Sequence, residues 1–410
     1  MRGSKRRRAF AALAIVGGLV VGVGGTSPAD ATPSRPTAPA ATARAAAPEA
    51  PEAPAQVTPQ RKTVRYGPYT IQPGTTNPDG THGHATSGNQ FAMNVEKPCT
   101  NCYITGMRPN LIRADGTTAG HSNRLMLHHM VLFNQDAGRT DATCASSLGV
   151  LGQRFFASGD ERTVTAFPDN YGYRVGANAR WNLIWELASM STVPETVYYT
   201  VEYTFVPATT PGMRDVEPVW FDVDQCGDSH VQIPAGPSSQ TWTWNVNRPG
   251  TMLTVGGHVH DHGINLEVRN MTTNQVICDS RAGYGETPLY VDHHGEEHIS
   301  SMSTCGGPGR PPVATNLQAG NQVRITSHYD APAPVPDAMG IAIAYMARDG
   351  GGGTAGCVTA TNSAHVAAGR ATAFWVFAFA KGSNQFIGLT SQSTSLREGT
   401  PGTWSMVASC

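Results

Sequence analysis

The chain has 410 residues, with 45 glycines, 29 prolines, 40% hydrophobic and only 14% charged residues. That composition argues against long helices and coiled coils, suits short strands joined by turns, and still leaves enough apolar surface for a buried core. A formal net charge of −1 excludes a strongly basic nucleic-acid-binding surface.

Residues 2–8 read RGSKRRR, an apolar run follows, and Ala29-Asp30-Ala31 offers a small-residue cleavage site. That order is a secretory signal, so residues 1–31 are expected to be a signal peptide on a secreted, extracellular protein with no membrane segment after cleavage. Residues 32–62 form an Ala/Pro-rich linker that cannot pack a core. From Thr63 onward, β-branched and aromatic runs alternate with turn residues. They predict strands at Tyr103–Met107, Leu125–Phe133, Trp181–Leu187 and Val197–Val206. A second set is predicted at Thr241–Val246, Met252–Val259, Ile264–Arg269, Val323–Ser327 and Ile341–Met346. The pattern reads as all-β, with two tandem antiparallel β-sandwich (jelly-roll-like) domains over 63–208 and 209–348. A Gly linker at 349–356 leads to a small disulfide-closed C-terminal module at 357–410.

All eight cysteines follow residue 31, and in an exported chain they read as disulfides. Cys357 is expected to pair with Cys410, and Cys278 with Cys305. Cys99, Cys102, Cys144 and Cys226 allow three pairings, among which the sequence does not choose. The Cys99-x-x-Cys102 spacing also fits a redox or metal motif, although export favours a plain disulfide.

The 14 histidines are the most informative residues. His128 and His129 sit in LMLHHMVLF. Neighbours on a strand point to opposite faces, so one ring is expected to be buried and hydrogen-bonded and the other exposed. His258-Val-His260 sits in TVGGHVHDHG; residues two apart on a strand share a face and can chelate one metal ion. His262 would add a third ring if the strand continued, but Gly263 suggests that the turn begins here, and Gly256-Gly257 would let a backbone or ligand approach closely. Met339, in PVPDAMGIAIAYMA, is either core packing or a soft sulfur ligand that favours Cu(I). The run His293-His294-Gly-Glu-Glu-His298 reads as a solvated polar loop. His82 and His84 lie in a Gly/Thr-rich loop, and His121, His230 and His328 read as structural histidines. No GxSxG, GxxxxGK[ST] or HExxH motif is present.

The order of LHHMVLF, GGHVHDHG and DAMGIAIAYM resembles the copper type II, ascorbate-dependent monooxygenases, which include the peptidylglycine α-hydroxylating and dopamine β-monooxygenases. FPDNYGYRVG, and VQIPAG followed by TWTWNVN, are similar to stretches of the same family. The segment YITGMRPNLIRADGTT…LHHMVLFN also resembles the stress-up-regulated nodulin family. Together these similarities cover roughly residues 65–348. The tail CVTATNSAHVAAGRA…AKGSNQFIGL…GTW…C resembles a C-terminal module of secreted polyhydroxyalkanoate depolymerases.

The monooxygenase resemblance implies two sandwiches facing each other across a solvent-filled cleft. His128 and His129 would belong to an electron-transfer copper site. His258, His260 and Met339 would form an O₂-activating one. It implies one or two copper ions, with ascorbate or another reductant as electron donor. The substrate would be a small molecule or peptide, and the tail module would take a polymer or surface ligand. One departure stands out. No histidine lies between His129 and His230, and the best register puts Ala188 where the family has a third first-domain histidine. Glu186, Met190 and His230 are the alternatives. The expected function is that of a secreted copper-dependent monooxygenase, hydroxylating a C–H bond with O₂ and an external reductant. A non-catalytic secreted copper-binding or surface-attachment protein and a single-copper oxygenase are the rival readings.

Overall fold

In the computed structural model the described residues are 57–73, 85–136, 138–144, 151–310, 313, 315–348, 357–398 and 403–408. The expected signal peptide, most of the 32–62 linker, the 349–356 linker, His82, His84 and Cys410 lie outside them.

All nine strands expected from the sequence are present, most of them longer than their apolar centres. The Val-Tyr-Tyr-Thr-Val run becomes the strand Glu195–Pro207. It lies in a sheet ordered Gln60–Ile71, Glu195–Pro207, Cys102–Arg113, Tyr171–Val175, Arg214–Asp215, with Thr165–Ala166 also on Cys102–Arg113. The facing sheet is ordered Ala85–Thr86, Trp181–Ser189, Leu125–Asn134, Gln153–Ser158, with Gln90–Val95 also on Trp181–Ser189. Alternation sends Ile104, Leu127, Phe155, Trp181, Tyr199 and Tyr203 inward, and all six are fully buried. Each large apolar side chain removed from water contributes about 1.5–3 kcal/mol. Arg214–Asp215 pairs with Tyr171–Gly172, so the first sandwich's sheet runs past the expected boundary at 208.

The second sandwich packs the sheet Glu217–Asp222, Gly340–Arg348, Gly250–Val259, Thr304–Gly306 against the sheet Gly236–Asn245, Gln322–Ala331, Gly263–Asn270, Gln275–Tyr284, Ile299–Met302. The small module has two three-stranded sheets and one helix, Asn362–Ala367, capped by the Thr361 hydroxyl on the Ala364 N–H. Its core is small, built on Ala378, Ile387, Leu396 and Trp404.

Several contacts hold the sandwiches against each other. Tyr345, from the second, is buried in the first core; its hydroxyl donates to the Phe155 carbonyl at 2.8 Å and its ring meets Phe167 edge-on at 4.8 Å. Cys144 and Cys226 form a disulfide between the two halves, 82 residues apart in sequence. The short 3₁₀ turns His121–Asn123 and Pro288–Tyr290 also meet at this seam. A cavity of about 380 Å³ lies between the halves. Cys278–Cys305 is bonded as expected, and Cys99–Cys102 is a plain disulfide. Cys357 is also disulfide-bonded.

Candidate metal centre

The strand Leu125–Asn134 pairs with Trp181–Ser189 so that Met126 faces Ala188 and His129 faces Glu186, with a register shift between the two pairs. One extra residue on the histidine strand makes a bulge, which breaks the alternation of faces. His128 and His129 therefore turn to the same side, against the expectation of one buried and one exposed ring. Their Nδ1 atoms are 3.1 Å apart. Glu186 Oε2 lies 3.5 Å from His128 Nδ1 and 3.9 Å from His129 Nε2. Asn89 Oδ1 is 2.8 Å from His129 Nε2. Tyr199, on the facing sheet, puts its hydroxyl within 2.9 Å of the His129 carbonyl and 2.8 Å of the Glu186 carbonyl. Of the three alternatives for a third first-domain donor, Glu186 joins the histidine pair. Ala188 stands opposite Met126, away from it.

The second pair arises from regular alternation. On the strand Gly250–Val259, Val259 is buried in the sandwich core while His258 and the following His260 face the other way, with ring centroids 5.3 Å apart. The turn follows at His262, whose φ is 70°, and the Gly263 N–H closes it on the His260 carbonyl. His258 is seated by the first sandwich. Its Nδ1 is 3.0 Å from Glu161 Oε2, and Glu161 Oε1 accepts the Gly159 N–H at 3.1 Å. A Cβ on Gly159 would stand 2.4 Å from His258 Cε1, so only glycine leaves room for the ring. Gly257 is bare for another reason: a Cβ there would meet Ser280 Oγ at 2.7 Å. Tyr329 accepts the His260 backbone N–H at 3.0 Å and donates to the Met339 carbonyl, tying the HxH strand to the methionine. Met339 itself is 3% exposed, packs with Trp220 and Ile341, and lines the cavity together with His258.

The two pairs meet. The His128 and His260 rings are 4.9 Å apart, edge to face. The two histidine pairs that the resemblance implies in separate sites are thus in ring contact, because the Tyr345 packing and the Glu161–His258 contact bring the halves together.

Burial pushes His129 down to about 3, helped by its neighbour His128. Burial and the nearby His258 hold His260 well below the ordinary imidazole value. Both rings stay neutral near pH 7, the form that binds metal. For His258, burial acts downward, but the charge and hydrogen bond of Glu161 outweigh it and the value is raised. The His128 contact draws Glu186 down to about 2. Nε2 of His258 and of His260 are buried without a hydrogen-bond partner among the described residues. Unpaired buried nitrogens of this kind cost energy unless something binds them. Imidazoles with a carboxylate and a nearby thioether are a donor set suited to copper, so the residues present fit that ion.

Two curated proteins are similar to this chain. "Probable copper-dependent oxygenase M1" of Phoma sp. is 31% identical over 312 residues, spanning 70% of this chain and 73% of that protein. The chain belongs to this copper-dependent oxygenase family. "Probable copper-dependent oxygenase clz3" of Cochliobolus lunatus is 29% identical over 262 residues, 59% of this chain and 78% of that protein. No family model matches. Among solved structures, the major capsid protein P2 from Bacteriophage PM2 matches at 10% identity and a TM-score of 0.27, over 70% of this chain and 98% of that one. A likeness that weak carries no argument. No helix among the described residues of the oxygenase is long and apolar enough to cross a membrane.

Sequence reasoning missed Glu161, Asn89 and Tyr329 around the oxygenase's histidines. Glu161 lies in FFASGDERT, which carries no metal-motif spacing; only the fold brings it to His258. His298 also departs from its expected solvated loop, with a side chain only 12% exposed. His293 and His294 are exposed as expected.

Proposed function

We propose that this copper-dependent oxygenase is a monooxygenase that hydroxylates a C–H bond of an apolar small molecule, using O₂ and an external reductant. The observation that carries the reading is the meeting of four imidazoles, two with unpaired buried nitrogens, beside a largely apolar cavity of about 380 Å³ that His129 and His258 line. His128, His129 and Glu186 from one half, and His258, His260 and Met339 from the other, would hold copper. When bound, the copper supplies electron exchange and the activation of O₂. In balance, O₂, the substrate C–H, two electrons and two protons give the C–OH product and water.

The chain's own residues do the rest. Glu161 holds His258 through Nδ1, which leaves Nε2 for the metal. Glu186 sets a carboxylate between the two first-half rings. Phe91, Val131, Trp220, Ile341 and Ile343 line the cavity, so they would exclude water and seat an apolar substrate. The test is copper content and reductant-dependent O₂ uptake by the reconstituted full chain. One or two coppers with uptake above that of free copper support the reading. Copper without such uptake would leave a binding protein. The 4.9 Å spacing of His128 and His260 favours a second reading, a single copper shared by both halves, and the measured stoichiometry separates the two. Secretion is proposed on the N-terminal signal and the disulfides.

A further inference from the structure

Outside the copper cluster, the loop from Asp292 to His298 gathers a second set of donors. One ligand atom each from Asp292, Glu296 and His298 lie within 4.8 Å of one another. We propose that these three residues form a second divalent-cation site, of the zinc class, sharing no ligand with the copper centre.

His298 carries the argument. Its Nδ1 is 2.6 Å from Asp261 Oδ2. A carboxylate at that distance takes the Nδ1–H and, whenever the ring is neutral, leaves the lone pair on Nε2, the usual support for a metal-bound histidine. Burial acts against the charged ring, but Asp261 and Asp292 outweigh it and raise the ring above the ordinary imidazole value, so a cation here displaces a proton. Nε2 is buried and has no hydrogen-bond partner among the described residues. Asp292 Oδ2 stands 3.9 Å from it. An ion held at about 2.0–2.2 Å from nitrogen and oxygen ligands fits between atoms so spaced. Asp292 is fixed in advance, because its Oδ1 accepts the backbone N–H groups of His294 at 2.8 Å and Glu296 at 2.9 Å. One imidazole and two carboxylates make a zinc-type set with room for water, and offer too few oxygens for calcium.

The position gives the site a purpose. The His298 ring stacks on His121 of the first half at 3.7 Å, with planes 10° apart, and His121 Nε2 is 2.8 Å from Asp160 Oδ2. Asp261, which holds His298, directly follows His260. A cation here fastens the 292–298 loop at the seam between the halves, beside the copper cluster.

The experiment titrates zinc into the metal-stripped full chain by calorimetry, for the wild type, Asp292→Asn and Glu296→Gln. The wild type is expected to bind one zinc more than Asp292→Asn, and Glu296→Gln to bind that ion at least about 10-fold more weakly. The copper EPR spectrum should be the same in all three. Equal zinc stoichiometry and affinity in all three would overturn the proposal. So would a His298 ring that NMR finds protonated on both nitrogens at neutral pH and unchanged by zinc, since it would then be an imidazolium between Asp261 and Asp292. Because copper content is read separately, failure here leaves the oxygenase reading intact.

Discussion

The two histidine pairs reach the same place by opposite means. In the first half an irregularity does it: a bulge between Met126 and His129 turns adjacent rings to one side, and the carboxylate that meets them, Glu186, comes from the neighbouring strand of the same sheet. In the second half regular alternation puts His258 and His260 on one face, and the supporting carboxylate, Glu161, comes from the other sandwich. The first set is therefore self-contained. The second depends on the seam, so loosening the interface should disturb His258 before it disturbs His128.

The largest expected effect tests which half carries the reaction. His260→Ala should remove the second-half copper and lower O₂ uptake to that of free copper; wild-type uptake in this variant would move the reacting site elsewhere. Next come the two carboxylates. Glu186→Ala should change the copper EPR spectrum and copper content, as loss of a ligand does. Glu161→Gln should keep the content and weaken copper binding by about 10–100-fold, as loss of a supporting hydrogen bond does. Identical outcomes would erase the distinction between the halves.

Acid sharpens the comparison in the metal-free protein. His129 is held at about 3 against 6.5 for an ordinary imidazole, and His260 is also depressed. Between those pH values the unfolded chain binds protons that the folded chain refuses, so stability falls as pH drops from 6.5 toward about 3. Glu186, at about 2 against 4.5, adds to the loss below pH 4.5. His258 is raised and acts in the opposite sense, its contribution being present below pH 6.5 and lost as pH rises above it. A thermal midpoint that stays flat between pH 6.5 and 4 would contradict the depressed values. The smallest effect is expected from Met339→Leu, which preserves the packing on Trp220 and should weaken Cu(I) more than Cu(II). Equal changes for both oxidation states would assign Met339 to the core alone.

What was legible in the sequence follows the same division. Strands and the HxH face obey a period of two, and Val197–Val206 or HVH can be read from that period alone. The Cys278–Cys305 pair lies within one sandwich and was equally readable. The bulge was not legible: LMLHHMVLF alternates acceptably without one, and the extra residue shows only against the partner strand. For the same reason Ala188 stood in for Glu186 in the expected register. Glu161 and Gly159 were invisible because their role lies in a contact across 97 residues of chain. The Tyr345 contact across the seam was hidden too, since nothing in IAIAYMA says that this ring packs into the other sandwich's core.

The Cys144–Cys226 bond has a topological consequence. The segment it encloses holds Gln153–Ser158, Trp181–Ser189 and Glu217–Asp222, and with them Glu161 and Glu186. A single protease cut anywhere inside that ring leaves both fragments covalently joined. Nicked oxygenase should therefore migrate as one band on a non-reducing gel and as two after reduction, so a preparation judged intact without reductant can already be cleaved between its two histidine pairs.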